Sequence, residues 1–104
     1  MERKAFVMKL KPGYEAEYKS RHDAIWPEML AELKAAGISD YSIYLDPESH
    51  FLFAVQTRAD NSTADDLPRK AIVRKWWDHM KDIMETNPDH SPVSKLLSPV
   101  FHMD

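Results

Sequence analysis

An α+β domain with the order strand, helix, strand, strand, helix, strand is the fold class this sequence predicts, on three observations. Short runs of strand formers alternate with two long stretches of helical apolar spacing. Turn residues punctuate the joins. At 104 residues the chain has room for a single domain spanning 1–104, near the size at which a partner subunit often helps.

Ala5 to Leu10 carries the first strand, and Pro12-Gly13 ends it with turn chemistry. From Tyr14 the apolar spacing turns helical and runs to Gly37, a residue suited to closing a helix. Pro27 interrupts that run, because its ring clashes with the carbonyl of Asp23. The helix is expected to kink near Ile25-Trp26 or to restart with Pro27 in its first turn. Residues 39–46 form a second strand, with Tyr41, Ile43 and Leu45 alternating with Ser42 and Tyr44. After a hairpin loop at Pro47-Glu48-Ser49, the strand Phe51 to Thr57 returns. Phe51, Phe53 and Val55 take one of its faces, and Leu52, Ala54 and Gln56 the other.

A polar stretch from Arg58 to Asp66 leads to a second long helix predicted to start at Pro68. Ile72, Trp76, Met80 and Ile83 keep one face of it apolar to about Met84. Asn87-Pro88-Asp89-His90-Ser91-Pro92 breaks it. The last strand is expected from Leu96 through Met103, with Pro99 marking an edge or a bulge. This order matches the ferredoxin-like βαββαβ plan, an antiparallel sheet with two helices on one face. Several strands carry large apolar groups on both faces, so a homodimer packed sheet against sheet is expected to cover the second face.

Composition narrows the function classes. The sequence is 43% hydrophobic and 30% charged, ordinary for a folded soluble protein, and no segment approaches the ~20 apolar residues of a membrane helix. A net charge of -3 with mixed signs offers phosphate backbones no basic field, so neither nucleic acid nor membrane is an expected partner. Without cysteine there is no disulfide framework, thiolate nucleophile or Cys-rich zinc site. The N-terminus lacks the apolar core of a signal peptide, so the expected location is the cytoplasm. No metal and no cofactor are expected: the chain has two glycines and neither a phosphate-cradling loop nor a nucleophile elbow.

Tyr18, His22 and Trp26 are spaced by four, which stacks side chains on one helix face. Such a row can donate a proton, accept one and lie flat against a ring. His22 is the acid-base candidate, since imidazole titrates near neutral pH; the bland alternative is a surface histidine among Lys19, Ser20, Arg21 and Asp23. Trp76 and Trp77 lie one residue step of ~100° apart, so one can anchor the core while the other turns to a cavity edge as a sugar platform. Tyr41 and Tyr44 point to opposite faces of their strand, so one of them faces the helices. His79, His90 and His102 are scattered and read as surface residues.

Arg3-Lys4-Ala5-Phe6-Val7-Met8, Tyr18-xx-Arg21-His22-xx-Ile25-Trp26-Pro27-Glu28, Tyr41-x-Ile43-Tyr44-Leu45-Asp46, Trp76-Trp77-xx-Met80 and Asn87-Pro88-Asp89-x-Ser91-Pro92-Val93-Ser94 together resemble the L-rhamnose mutarotase family. The likeness runs from end to end and is least over Arg58 to Ala71. It implies a dimeric α+β barrel and an isomerase that interconverts the α and β anomers of L-rhamnose. It also implies His22 as proton donor, with Tyr18, Tyr41, Trp76 and Trp77 lining the sugar site. The same fold resembles small haem-degrading and quinol monooxygenases. The haem degraders use an asparagine on the first strand, which Ala5 to Leu10 lacks, and a histidine on the second helix, which His79 could mimic. A non-catalytic sugar-binding dimer is the second alternative.

Overall fold

The structure is a computed structural model describing residues 1–104. Four strands form one antiparallel sheet: β1 (Glu2–Lys9), β2 (Ile38–Leu45), β3 (Phe51–Arg58) and β4 (Ser94–Leu96), in the order β2-β3-β1-β4. The helices are α1 (Glu15–Asp23), α2 (Pro27–Ala35) and α3 (Ala71–Met80), and a 3₁₀ turn covers Ala64–Arg69.

Pro27 resolves the first helical stretch into two helices. It occupies the first turn of α2, where no partner for an N–H is needed, and Trp26 before it is extended at φ -61°, ψ 134°. Glu15 and Glu17 in the first turn of α1 and Arg21 and His22 in its last turn complement the helix dipole. Gly37 follows α2 with φ +82°, and a Cβ there would come within 3.3 Å of Ala59 Cβ and Ser62 Cα. Both the left-handed backbone and the close approach therefore require glycine.

The second helix differs from the sequence expectation at both ends. Pro68 lies inside the 3₁₀ turn, and α3 begins only at Ala71, after an extended Lys70. The tighter turn lets Ala64 pack with Ala36 and Ile38 in a small separate cluster. The helix also stops at Met80, yet Ile83 and Met84 remain buried because Met84 bridges to Leu10. The last strand is shorter than expected as well. Ser94, Lys95 and Leu96 pair with Met8, Val7 and Phe6, and the Leu97 N–H donates to the Ala5 carbonyl. Pro99 then removes a donor, and Val100, Phe101 and Met103 stand 96%, 83% and 77% exposed with no strand partner in this chain.

The β3 alternation holds as read: Leu52, Ala54 and Gln56 are buried on the helix side, while Phe51 and Phe53 keep 40% and 38% of their surface on the other. Met8, Leu10, Leu52, Val73, Trp76, Met80 and Ile83 build the core between helices and sheet. A polar clamp ties α1 to the end of α3. The Arg21 guanidinium donates from Nη1 and Nη2 to the Asp82 carboxylate at 2.8 and 3.1 Å, and from Nη1 to the His79 carbonyl at 2.7 Å. Its Nε donates to Glu17 at 2.8 Å. Arginine's planar fork suits this multi-point tie.

Candidate functional site

Between the helices and the sheet lies a cavity of about 1290 Å³, larger than the usual ~300–1,000 Å³ of a small-molecule pocket. One wall is helical. Tyr18 and His22, one turn apart on α1, stack with ring centroids 4.3 Å apart, and Trp76 meets the His22 ring edge-on at 5.4 Å. Tyr18 and Trp76 are 8% and 6% exposed, so both pack into the core while presenting an edge to the hollow. Trp77 is half-buried and also lines it. Both indoles of the pair therefore border the cavity, with Trp76 the core anchor.

Trp26 departs from the expected row. The break at Ala24–Trp26 ends the four-residue stacking, so this indole does not line the cavity and instead sits behind Trp76, ring to ring at 5.0 Å. His79 packs tilted against Trp26 at 5.2 Å and Trp76 at 5.5 Å, exposed and outside the cavity lining.

The His22 ring is fixed through one nitrogen. Its Nδ1 lies 3.1 Å from the Tyr18 carbonyl, and a carbonyl can only accept, so Nδ1 carries the hydrogen in the neutral tautomer. Nε2 remains free to accept a proton and, once protonated, to donate it. Burial lowers the His22 pKa below its ordinary 6.5, against the opposing pull of that carbonyl and of Asp23.

The opposite wall comes from the sheet. Tyr41 from β2 and Gln56 and Arg58 from β3 line it, with Phe6 and Met8 from β1. Tyr44 faces away, paired with Phe53 on the outer surface. Tyr41 is 37% accessible, but that surface opens on the cavity. Burial pushes its phenol up to about 12, with the Arg58 charge and the neighbouring Gln56 amide pulling it back. Burial and the nearness of Tyr41 raise the Tyr18 phenol too. Both groups are thus neutral hydrogen-bond donors at physiological pH.

The loop after α3 forms a polar rim of Asn87, Asp89 and Ser91. These groups are largely satisfied by one another: Asn87 Nδ2 donates to Ser91 Oγ at 3.0 Å, and the Ser91 N–H to Asp89 at 3.0 Å. Nowhere in the chain do three His, Asp or Glu side chains converge as metal ligands would.

All five candidates from the sequence, Tyr18, His22, Tyr41, Trp76 and Trp77, border this one cavity. Gln56 and Arg58 were not among them. The available signal was a polar residue at an inward-facing position of an otherwise apolar strand face. The arrangement offers a protonatable nitrogen, two phenol donors and indole surface around a hollow that admits a monosaccharide.

The signature of the L-rhamnose mutarotase family matches residues 3–103. An L-rhamnose mutarotase of Bacteroides thetaiotaomicron is 60% identical over 104 residues, covering 100% of both chains. One from Paraburkholderia phytofirmans is 52% identical, covering 100% of this chain and 97% of its own. The crystal structure of an L-rhamnose mutarotase from Formosa agariphila superposes with a TM-score of 0.94 at 50% identity, over 100% of each chain.

Proposed function

This chain belongs to the L-rhamnose mutarotase family and is an isomerase that interconverts the α and β anomers of L-rhamnose, and we propose that His22 is its general acid. Mutarotation requires a proton delivered to the ring oxygen and another removed from the anomeric hydroxyl. The bond between C1 and the ring oxygen breaks, and the C1 oxygen becomes an aldehyde. After rotation about C1–C2, the former ring oxygen adds to the other carbonyl face and the proton transfers reverse. No proton is consumed.

The observation that carries this reading is the tethered His22 ring, with Nδ1 on the Tyr18 carbonyl, Tyr18 stacked on one side and Trp76 against its edge. Protonated Nε2 donates to the ring oxygen. A lowered pKa makes the imidazolium a stronger acid, although less of it is present at neutral pH. With both phenols raised, Tyr18 and Tyr41 act as donors to sugar oxygens, and a water in the cavity takes the anomeric proton. Trp76 and Trp77 supply apolar surface for the sugar's C–H face.

The test is saturation-transfer NMR of anomer exchange on L-rhamnose. His22→Ala is expected to fold and to exchange at near the buffer rate; exchange at the wild-type rate would remove His22 from the mechanism. A non-catalytic sugar binder would leave the buffer rate untouched even as the wild-type protein.

The working form we propose is a single 1–104 domain of ferredoxin-like plan, paired in a dimeric α+β barrel in the cytoplasm. The sheet order and the two-helix-layer side support the plan. Tyr44, Phe51 and Phe53 at 64%, 40% and 38% exposure, with the bare Val100, Phe101 and Met103, support a second copy against the outer face. No helix is long and apolar enough to cross a membrane. Sedimentation of Phe53→Glu as a monomer, against a wild-type dimer, tests the pairing.

A further inference from the structure

Resting on the reading that Tyr41 faces the bound sugar, we propose that Gln56, anchored by Arg58, is a positioning residue that orients the Tyr41 hydroxyl so that its hydrogen points into the cavity toward a sugar oxygen.

The sheet itself creates the juxtaposition. Ser39 pairs with Thr57 and Ser42 with Val55, so two residues of β2, Asp40 and Tyr41, stand opposite Gln56 alone. This is a β-bulge, and Asp40 takes it up with a left-handed φ of +47°. Ile38 and Tyr41, three residues apart, would point to opposite faces of a regular strand. The extra residue lets Ile38 pack in a core cluster while Tyr41 lines the cavity beside Gln56.

Gln56 is the one buried polar side chain of the fold, 3% exposed beside Leu52 and Ala54 on the same strand face. A buried amide is costly unless its groups are paired. Its oxygen is paired: Arg58 Nε donates to Gln56 Oε1 at 2.7 Å. Because a guanidinium only donates, that bond fixes which end of the amide is which. The NH₂ end is directed away from Arg58 and is the end free to meet Tyr41. A phenol oxygen that receives this N–H keeps its own O–H available, so the sugar meets a donor of fixed direction. The side chain reaching this position from Arg58 lies in the stretch that carried no role in the sequence reading.

Gln56→Glu tests the orientation with little change of shape. The introduced carboxylate still accepts from Arg58 but cannot donate, so Tyr41 must turn its hydrogen inward to bond it. Anomer exchange per enzyme is expected to fall about tenfold in Gln56→Glu and in Tyr41→Phe, the effect of one hydrogen bond. The double variant is expected to be no slower than Tyr41→Phe alone. As pH falls and the introduced carboxyl protonates, it regains a donor, so the deficit relative to wild type should shrink. Gln56→Met, which has neither donor nor acceptor, should show the same non-additivity and no such recovery, and it serves if the acidic variant fails to fold. Losses that multiply in the double variant, or a deficit in Gln56→Glu that is independent of pH, would overturn the inference in favour of a packing role. If Tyr41→Phe exchanges normally while His22→Ala does not, the inference falls and the acid assignment stands. If His22→Ala exchanges normally, the parent reading has failed and the inference falls with it.

Discussion

The two walls of the cavity are built by different logic. The helical wall presents Tyr18, His22 and Trp76 from regular positions, each held by its neighbour's ring. The sheet wall presents Tyr41, Gln56 and Arg58 across an irregularity, with Asp40 in a left-handed conformation at the bulge. Ring packing and the tether of His22 Nδ1 to the Tyr18 carbonyl one turn back fix the first, and a hydrogen-bonded side-chain pair with a backbone kink fixes the second. On the roles proposed above, the helical side carries the chemistry, and the sheet side the direction of the hydrogen bonds that receive the sugar.

The largest expected effect lies on the helical wall. General acid assistance typically contributes ~10²–10⁴-fold, so His22→Ala should cost far more exchange than the tenfold expected of Tyr41→Phe. Equal losses would erase the division between the walls. Next comes Trp76→Ala, which removes a buried indole and should destabilise the fold by about 3–5 kcal/mol, read from denaturant unfolding. Trp77→Ala, half-buried, should cost less stability and weaken sugar binding instead. A loss confined to stability would make Trp77 a packing residue only.

The pH response separates two consequences of one shift. His22 has a folded pKa below the 6.5 of its unfolded form, so the unfolded chain binds more protons in the window between them. Stability is therefore fully present above about 6.5 and is lost as pH falls through the lowered value. The acid role runs the other way: exchange per folded enzyme should decline as pH rises through that same value. A rate that rises there would make His22 the base. The smallest effect is reserved for the bulge. Asp40→Val places a β-branched residue at positive φ and should cost about 1–2 kcal/mol with some loss of exchange, whereas Asp40→Gly should be near neutral in both.

The same contrast explains what the sequence revealed. Four-residue spacing made Tyr18 and His22 visible, because helix geometry converts spacing into proximity without further information. It failed one step later at Trp26, where Pro27 restarts the helix and turns the indole behind Trp76. Strand parity put Tyr41 and Tyr44 on opposite faces but could not foresee an extra residue in β2, since a bulge leaves no mark in the apolar pattern when Asp40 is its only sign. Gln56 was visible as a polar residue at an inward position. Its meaning depends on Arg58 two residues on, a pairing that only three-dimensional geometry supplies. The C-terminal strand expected to Met103 was misjudged for a related reason: β-rich composition at Val100-Phe101 says nothing about whether a neighbouring edge is available to pair with it.

Arg21 carries a consequence for how a ligand gets in. By tying α1 to the C-terminal end of α3 through the His79 carbonyl and to Asp82 just beyond it, it is expected to make the two helices open as one body. Admission of a sugar then depends on the gap between that body and the sheet, and amide hydrogens of α1 and α3 should exchange with solvent at a common rate that splits apart once the tie is cut.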